Sequence, residues 1–247
     1  MIETPSIVKQ VRRLSDGRLW WSVDLCESTQ DLLAAAPPEV ALFTAARQQH
    51  GRGRRGRHWL SPVGGLYLSW RPSFPFGPER GHILPFLAAV ALAELLDGQG
   101  LPVSLKWPND LLVRGEKIAG ILVEARSDGN QMEALVGVGL NCAQSAALIE
   151  GTSLEACGLS RAPEWIAEAL YERLTAALNV AAAAQRPLSS VLARWRSFEL
   201  PQGTRLCREG REGLYRGVDE TGALLFDGEE GLERIGSGEV ALIGLER

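Results

Sequence analysis

Two spacings of apolar residues alternate along this chain, and each predicts its own elements. Ser28 to Ala36 predicts a helix, with Ser28 as N-cap, Asp31 three residues on and Pro37-Pro38 as its stop. The short apolar run Val40 to Ala46 suits a buried strand, and the alternation of Leu66, Leu68 and Trp70 predicts another over Gly64 to Trp70. From Ile83 to Leu96 the chain is apolar nearly all round, which predicts a buried helix closed at Asp97-Gly98. A strand-rich centre follows, with runs at Val103 to Trp107, Leu111 to Val113, Ile118 to Ala125 and Met132 to Leu140. Arg114-Gly115-Glu116 and Ser127 to Asn130 are short enough to be hairpin turns between them. Pro163 to Ala184 returns to helical spacing, with Trp165, Ile166, Leu170 and Leu174 along one face. Pro187 breaks that run, and Ser190 to Phe198 predicts a further helix.

The pattern changes at Leu200-Pro201-Gln202-Gly203. Beyond it lie short strand-like runs punctuated by glycine: Arg205 to Cys207, Leu214 to Val218, Ala223 to Phe226, Leu232 to Ile235 and Glu239 to Ile243. Strands this short and closely spaced predict a small barrel whose thin core leans on the larger unit. The expectation is an α+β protein, with a mixed sheet and packed helices over residues 1–202 and a small barrel over 203–247.

Composition narrows the class. The chain has 247 residues, 45% hydrophobic and 23% charged, enough apolar surface for a real core, which excludes disordered, collagen-like and coiled-coil readings. A net charge of −4 provides no global basic field, so any nucleic-acid contact must be local. The N-terminal stretch has no apolar signal-peptide core, and no window approaches the roughly 20 apolar residues of a membrane span, so no membrane partner is expected. Cys26, Cys142, Cys157 and Cys207 form no CxxC pair, and the histidines are not at metal-ligand spacing from them. Isolated thiols suit a reducing compartment, so a cytoplasmic protein with no metal ligand of its own is expected.

The loudest local signal is Gly51-Arg52-Gly53-Arg54-Arg55-Gly56-Arg57, four cations and three glycines in seven residues of an acidic protein. Arginine presents a planar, permanently charged fork to phosphate or carboxylate, and glycine lets backbone approach an anion closely. Taken alone, the segment suits a solvated basic loop or an RNA-binding module. Strand-like sequence on both sides favours a ligand clamp, mobile until something negative binds. A second cluster is Lys106-Trp107-Pro108-Asn109-Asp110, followed by Lys117. Each lysine sits among apolar neighbours, where it costs desolvation unless an anion pairs with it. An equally open reading has Lys106 pairing with Asp110 and Lys117 reaching solvent. Gly120, Gly137 and Gly139 lie inside strand runs, where glycine marks a bulge, a close approach or plain packing, and Asn141 just beyond offers an amide to a base edge.

GRGRRGRHW, KWPNDLLV, KIAGILVEA and GVGLN, in this order and spacing, closely resemble the biotin–protein ligases, and the resemblance runs over nearly the whole chain to SGEV at Ser237 to Val240. It implies the biotin ligase fold, which is similar to class II aminoacyl-tRNA synthetases, with an SH3-like C-terminal barrel. It implies activation of biotin with ATP and Mg²⁺ to biotinyl-5′-AMP, then transfer to one lysine of a biotin carboxyl carrier protein, by a monomer or homodimer. Carried over by position, Ser28, Thr29, Gln30 and Gln48 contact biotin, joined by Arg52, Gly53, Arg54 and Lys117. Gly51, Arg52, Arg54, Arg55, Arg57, Trp59, Asn109 and Asn141 fall on the ATP or adenylate side. Lys117 is the central lysine between carboxylate and phosphate, and is named with Arg54 as catalytic. Asp110 is left open between holding Mg²⁺ and pairing with Lys106. Gln30 departs from the commoner Asn by one methylene, and His50 replaces a usually small residue. The Ser-Thr motif begins at Ser28, which leaves no room for the DNA-binding domain of bifunctional members, so no DNA contact is expected. A lipoate or octanoate ligase of the same fold is the alternative acyl chemistry, and such relatives usually lack the GRGRRGR and KWPND stretches.

Overall fold

The computed structural model describes residues 7–73, 78–127, 132–143, 149, 151–184 and 187–243. An eight-stranded sheet forms the larger unit. Its strands are β1 (Gln10–Arg13), β2 (Leu19–Cys26), β3 (Val40–Gln48), β4 (Leu66–Trp70), β5 (Ser104–Lys106), β6 (Asp110–Val113), β7 (Glu116–Ser127) and β8 (Met132–Leu140). The order is β1-β2-β3-β4-β8-β7-β6-β5, with β2 and β3 parallel and every other neighbour antiparallel. A parallel pair needs a crossover, and α1 (Thr29–Ala35) supplies it between β2 and β3.

Alternation along the strands sorts side chains to opposite faces. Trp20 and Leu42 join the larger apolar cluster, whereas their chain neighbours Trp21 and Phe43 join a smaller one beneath α1 with Leu33. The larger cluster is covered by α2 (Leu84–Asp97), α3 (Pro163–Ala183) and α4 (Pro187–Trp195). α2 packs against α3, α4 and the strands of the central sheet, which explains a helix with apolar residues all round.

Past Gly203 come β9 (Arg205–Arg208), β10 (Arg211–Val218), β11 (Leu224–Gly228), β12 (Gly231–Ile235) and β13 (Ala241–Leu242). They form one antiparallel sheet in the order β12-β11-β10-β9-β13, so β12 and β13 stand at opposite ends of it. This small sheet shares the main core. Leu206, Tyr215 and Phe226 lie in the same apolar cluster as Trp107, the Trp107 indole donates to Gly222 O at 3.0 Å, and Tyr215 OH donates to Glu199 Oε2 at 2.6 Å.

Most elements fall where the sequence places them, and the differences have local causes. The apolar pattern names neither β1, whose residues are all exposed, nor β2. Trp165 leaves the predicted buried face and is 43% exposed, because it stands one residue, about 100°, round the helix from buried Ile166; Arg161 covers its ring instead. Gly98 ends α2 in right-handed geometry, and the left-handed residue is Gly100. Pro187 opens α4 rather than preceding it, as suits a residue with no N–H to offer at a first helical position. The β6–β7 turn is Arg114-Gly115, both at positive φ, the primed geometry that matches strand twist. Ser127 closes β7, and the rest of the other expected turn, residues 128–130, lies outside the described residues.

Candidate active site

A cavity of about 350 Å³ opens among the N-terminus of α1, the glycine–arginine loop, β4, β7 and β8. At one end, α1 presents buried Ser28, Thr29 and Gln30. Ser28 occupies the N-cap position in extended geometry, yet its hydroxyl makes no cap bond, so it is available to the cavity. Thr29 N donates to Gln48 Oε1 at 2.9 Å, Thr29 Oγ1 lies 2.8 Å from Ser69 Oγ, and Gln48 Nε2 donates to Ser61 Oγ at 2.9 Å. This network fixes the Gln48 amide and leaves Gln30 Nε2 as a buried donor with no partner. A buried amide donor left unpaired costs on the order of 1–3 kcal/mol, which marks a ligand-seeking position.

The strand glycines make room for side chains of the wall. A Cβ at Gly137 would stand 2.7 Å from Gln30 Oε1, and one at Gly139 would stand 2.4 Å from Trp59 Cε2. Gly120, the cross-strand partner of Gly139, lies beneath another part of the same indole, where a Cβ would come within 3.1 Å of Cζ3. Trp59 therefore lies in a slot that two glycines open, with its Nε1 buried and unpartnered. Close approach is the meaning of these glycines, and the approaching groups are Gln30 and Trp59.

The loop from Gly51 folds as a compact turn, with Trp59 N donating to Gly51 O at 2.8 Å and Gly53 N to Arg57 O at 2.7 Å. Arg52, Arg54 and Arg57 are answered by protein groups. Arg52 spans Asp31 Oδ1 at 2.6 Å and Glu124 Oε2 at 2.7 Å, Arg54 donates to Gly238 O at 2.9 Å, and Arg57 pairs with Glu239. Burial pulls the Arg54 guanidinium below its usual value, which is how a cation short of carboxylate partners behaves. This arrangement departs from a solvated basic patch: Arg52, Arg54 and Arg57 border the cavity.

At the opposite wall, Lys117 Nζ lies 2.6 Å from Asp110 Oδ1 and 5.3 Å from the centre of the Trp59 ring. Lys106 takes the other Asp110 oxygen at 3.1 Å and donates to Val240 O at 3.0 Å. Burial would raise the Asp110 carboxyl, but Lys106 and Lys117 overcome it and hold it below the ordinary range. Asp110 thus takes Lys106 as one sequence reading has it, and takes Lys117 as well. Asn109 donates to Ile121 O at 2.6 Å, and Asn141 Nδ2 to Thr152 O at 3.0 Å, so the amide expected at a base edge ties down a neighbouring segment.

The structure brings Ser28, Thr29, Gln30, Gln48, Arg52 and Gly53 into one wall with Arg54, Arg57, Trp59, Asn109, Lys117 and Asn141. Gly51 and Arg55 stand outside it. Gly51 is buried where a Cβ would strike Ser61 Oγ and Trp59 O at 2.5 Å, and Arg55 is exposed at φ 55°. His50 is exposed and pairs with Glu27. The sequence reading gave no place in the site to Ser69, Asp31, Glu124 or the Gly238–Val240 segment, naming Asp31 as a capping partner, and Glu124 and Gly238–Val240 within stretches that carry the resemblance. Only Ser69 carried a signal, as the one small polar side chain in Leu66–Trp70. All four cysteines are free, and burial pushes the Cys26 and Cys142 thiols up to about 12. No helix among the described residues is long and apolar enough to cross a membrane.

Comparison with known proteins gives concordant matches. A family model described as Biotin/lipoate A/B protein ligase family matches residues 23–141. The chain is 32% identical over 219 residues to the biotin–[acetyl-CoA-carboxylase] ligase of Paracoccus denitrificans, covering 80% of this chain and 89% of that protein. It is 34% identical over 215 residues to the bifunctional ligase/repressor BirA of Escherichia coli, covering 82% of this chain but only 66% of that protein's length. The structure of a biotin protein ligase from Aquifex aeolicus in complex with biotin and ATP superposes with a TM-score of 0.73 at 28% identity, covering 90% of this chain and 97% of that one.

Proposed function

As a member of the biotin/lipoate A/B protein ligase family, on its biotin–protein ligase side, this chain, we propose, activates biotin with ATP and passes it to a lysine of a biotin carboxyl carrier protein. In the first step a biotin carboxylate oxygen attacks the α-phosphorus, the bond to the β-phosphate bridge breaks, and pyrophosphate leaves. In the second, the carrier's ε-amine attacks the acyl carbon, AMP departs with the electron pair of the C–O bond, and the amine gives up its proton.

The observation that carries this reading is one cavity of about 350 Å³ with three kinds of wall. Unpaired and hydroxyl-bearing groups at Ser28, Thr29 and Gln30 suit a ureido ring, which needs polar partners that a plain acyl chain does not. Trp59, Asn109 and Asn141 line the side we assign to the nucleotide. Lys117, Arg52 and Arg54 supply fixed positive charge between them. Two anions meet in the first step, so catalysis rests on preorganised charge rather than on a protein nucleophile. The mixed anhydride is easily hydrolysed, and the loop bearing Arg52 and Arg54 is the group that keeps water away.

The implied Mg²⁺ finds no ready protein site. Among the described residues no three His, Cys, Asp or Glu side chains gather as ligands, and both oxygens of Asp110 are taken by lysines. In this proposal Mg²⁺ accompanies the phosphates of the nucleotide, and no step of the chain's own chemistry runs through it. The proposal also divides the chain into a catalytic unit at 1–202 and an SH3-like unit at 203–247, in a cytoplasmic protein.

The test is pyrophosphate release with ATP and either biotin or octanoate. Release with biotin and not octanoate is expected. Release with octanoate alone would move the protein to the lipoyl side of the family and void the roles of Ser28 and Gln30.

A further inference from the structure

α1 carries Thr29 and Gln30 to the cavity, yet it has seven residues, too few to hold itself together in water. No basic residue lies in its last turn, and two prolines follow it. The carbonyls at its end and just beyond therefore have room for donor partners from elsewhere. Arg71 provides them. Its Nη1 donates to Pro37 O at 2.9 Å and Val40 O at 2.8 Å, and its Nη2 donates to Leu33 O and to Ala36 O at 3.2 Å. One guanidinium thus gathers four carbonyls at the exit of α1, with its side chain 11% exposed.

The opposite end of the same helix is held from the same edge. Ser69 lies two residues before Arg71, on the same face of an extended chain, and its hydroxyl meets Thr29 Oγ1 at 2.8 Å. β4 and the residue after it therefore grip α1 at its first turn and its last. The backbone of Arg71 is itself fixed, its N donating to Ala41 O at 2.8 Å and its carbonyl accepting from Arg18 Nη1 at 3.0 Å.

We propose that Arg71 is a positioning residue for the biotin end of the site: by clamping the carbonyls at the C-terminal end of α1 and in the segment that leads from it into β3, it sets where Thr29 and Gln30 stand against Gln48 and Gly137. It touches neither substrate nor the reacting atoms, since it is absent from the cavity wall. The inference rests on the proposed biotin site. Its specific consequence is a split between the two substrates, because α1 serves one end of the cavity and the Lys117 wall the other.

Arg71→Met keeps the stem and removes every donor, while Arg71→Lys keeps the charge with fewer donors to share among the four carbonyls. For Arg71→Met the KM for biotin should rise on the order of ten- to a hundredfold, with kcat at saturating biotin and the KM for ATP within about twofold of the parent. Arg71→Lys should fall between the two. Hydrogen exchange at the α1 amides should quicken in the same order, without a matching change in α2. Equal biotin KM in parent and Arg71→Lys, with unchanged exchange, would overturn the proposal. So would equal losses for biotin and ATP, which is what a merely structural arginine gives. A parent that does not use biotin at all would count against the functional reading, and the exchange measurement would still decide the clamp.

Discussion

Lys117 stands between two side chains and an open cavity. Asp110 orients it at 2.6 Å, the Trp59 ring flanks it, and the cavity lies before it. Replacing it with alanine removes fixed charge where the proposed reaction brings two anions together, so Lys117→Ala should lower the rate of adenylate formation by about 10²–10³, read as pyrophosphate release. A near-normal rate would show that the charge comes from elsewhere. Gly139 makes a sharper steric case. Its missing Cβ leaves the space that Trp59 occupies, so Gly139→Ala should cost about 1–3 kcal/mol through forced displacement of the indole, measured by denaturant unfolding. Gly236→Ala, where a Cβ meets nothing within 4 Å, should stay within about 0.5 kcal/mol of the parent.

Among the elements, the glycine–arginine loop depends most on distant parts of the chain. Arg52 reaches α1 and β7, and Arg54 and Arg57 reach the segment before β13. In Arg54→Ala the loop loses its bond to Gly238, so biotinyl-AMP should still form but should escape into solution faster than from the parent. Filtration of a single-turnover reaction measures this, and an adenylate held as tightly as in the parent would contradict the role proposed for the loop in covering the anhydride. The periodicity of the sequence located the helices and central strands because burial on one face or on all faces leaves a repeat that can be read. It did not mark β1, which buries nothing, β2, whose buried positions do not alternate regularly, or the turn of Trp165 away from the core. Part of the cavity wall was legible because its cations and strand glycines are out of place in apolar runs, whereas Ser28, Thr29, Gln30, Gln48 and Trp59 were assigned to it only through the resemblance to the biotin–protein ligases. Asp31, Glu124 and Gly238 were not legible, because an exposed carboxylate or a loop carbonyl looks the same in sequence whether or not it receives an arginine.

At the scale of the whole molecule, the small C-terminal sheet is packed into the main core. Its Leu206, Tyr215 and Phe226 are buried in the same cluster as Trp107 and α2, and Gly222 leaves room for Phe86. A unit of this size has little core of its own, so thermal unfolding should follow one transition, coincident by far-UV circular dichroism and tryptophan fluorescence. Two separated transitions would show that 203–247 unfolds independently. The same docking brings Gly238, Glu239 and Val240 against Arg54, Arg57 and Lys106, which couples the C-terminal unit to the loop and to the Lys106–Asp110–Lys117 set. The chemistry assigned to that shared site is tested most directly by incubating the protein with ATP, Mg²⁺, biotin and a biotin carboxyl carrier domain, then weighing the carrier. A mass gain of one biotinyl group is expected, dependent on ATP and abolished when the acceptor lysine of the carrier is changed to arginine. An unmodified carrier, with the protein folded and ATP and biotin both present, would contradict the proposed ligase.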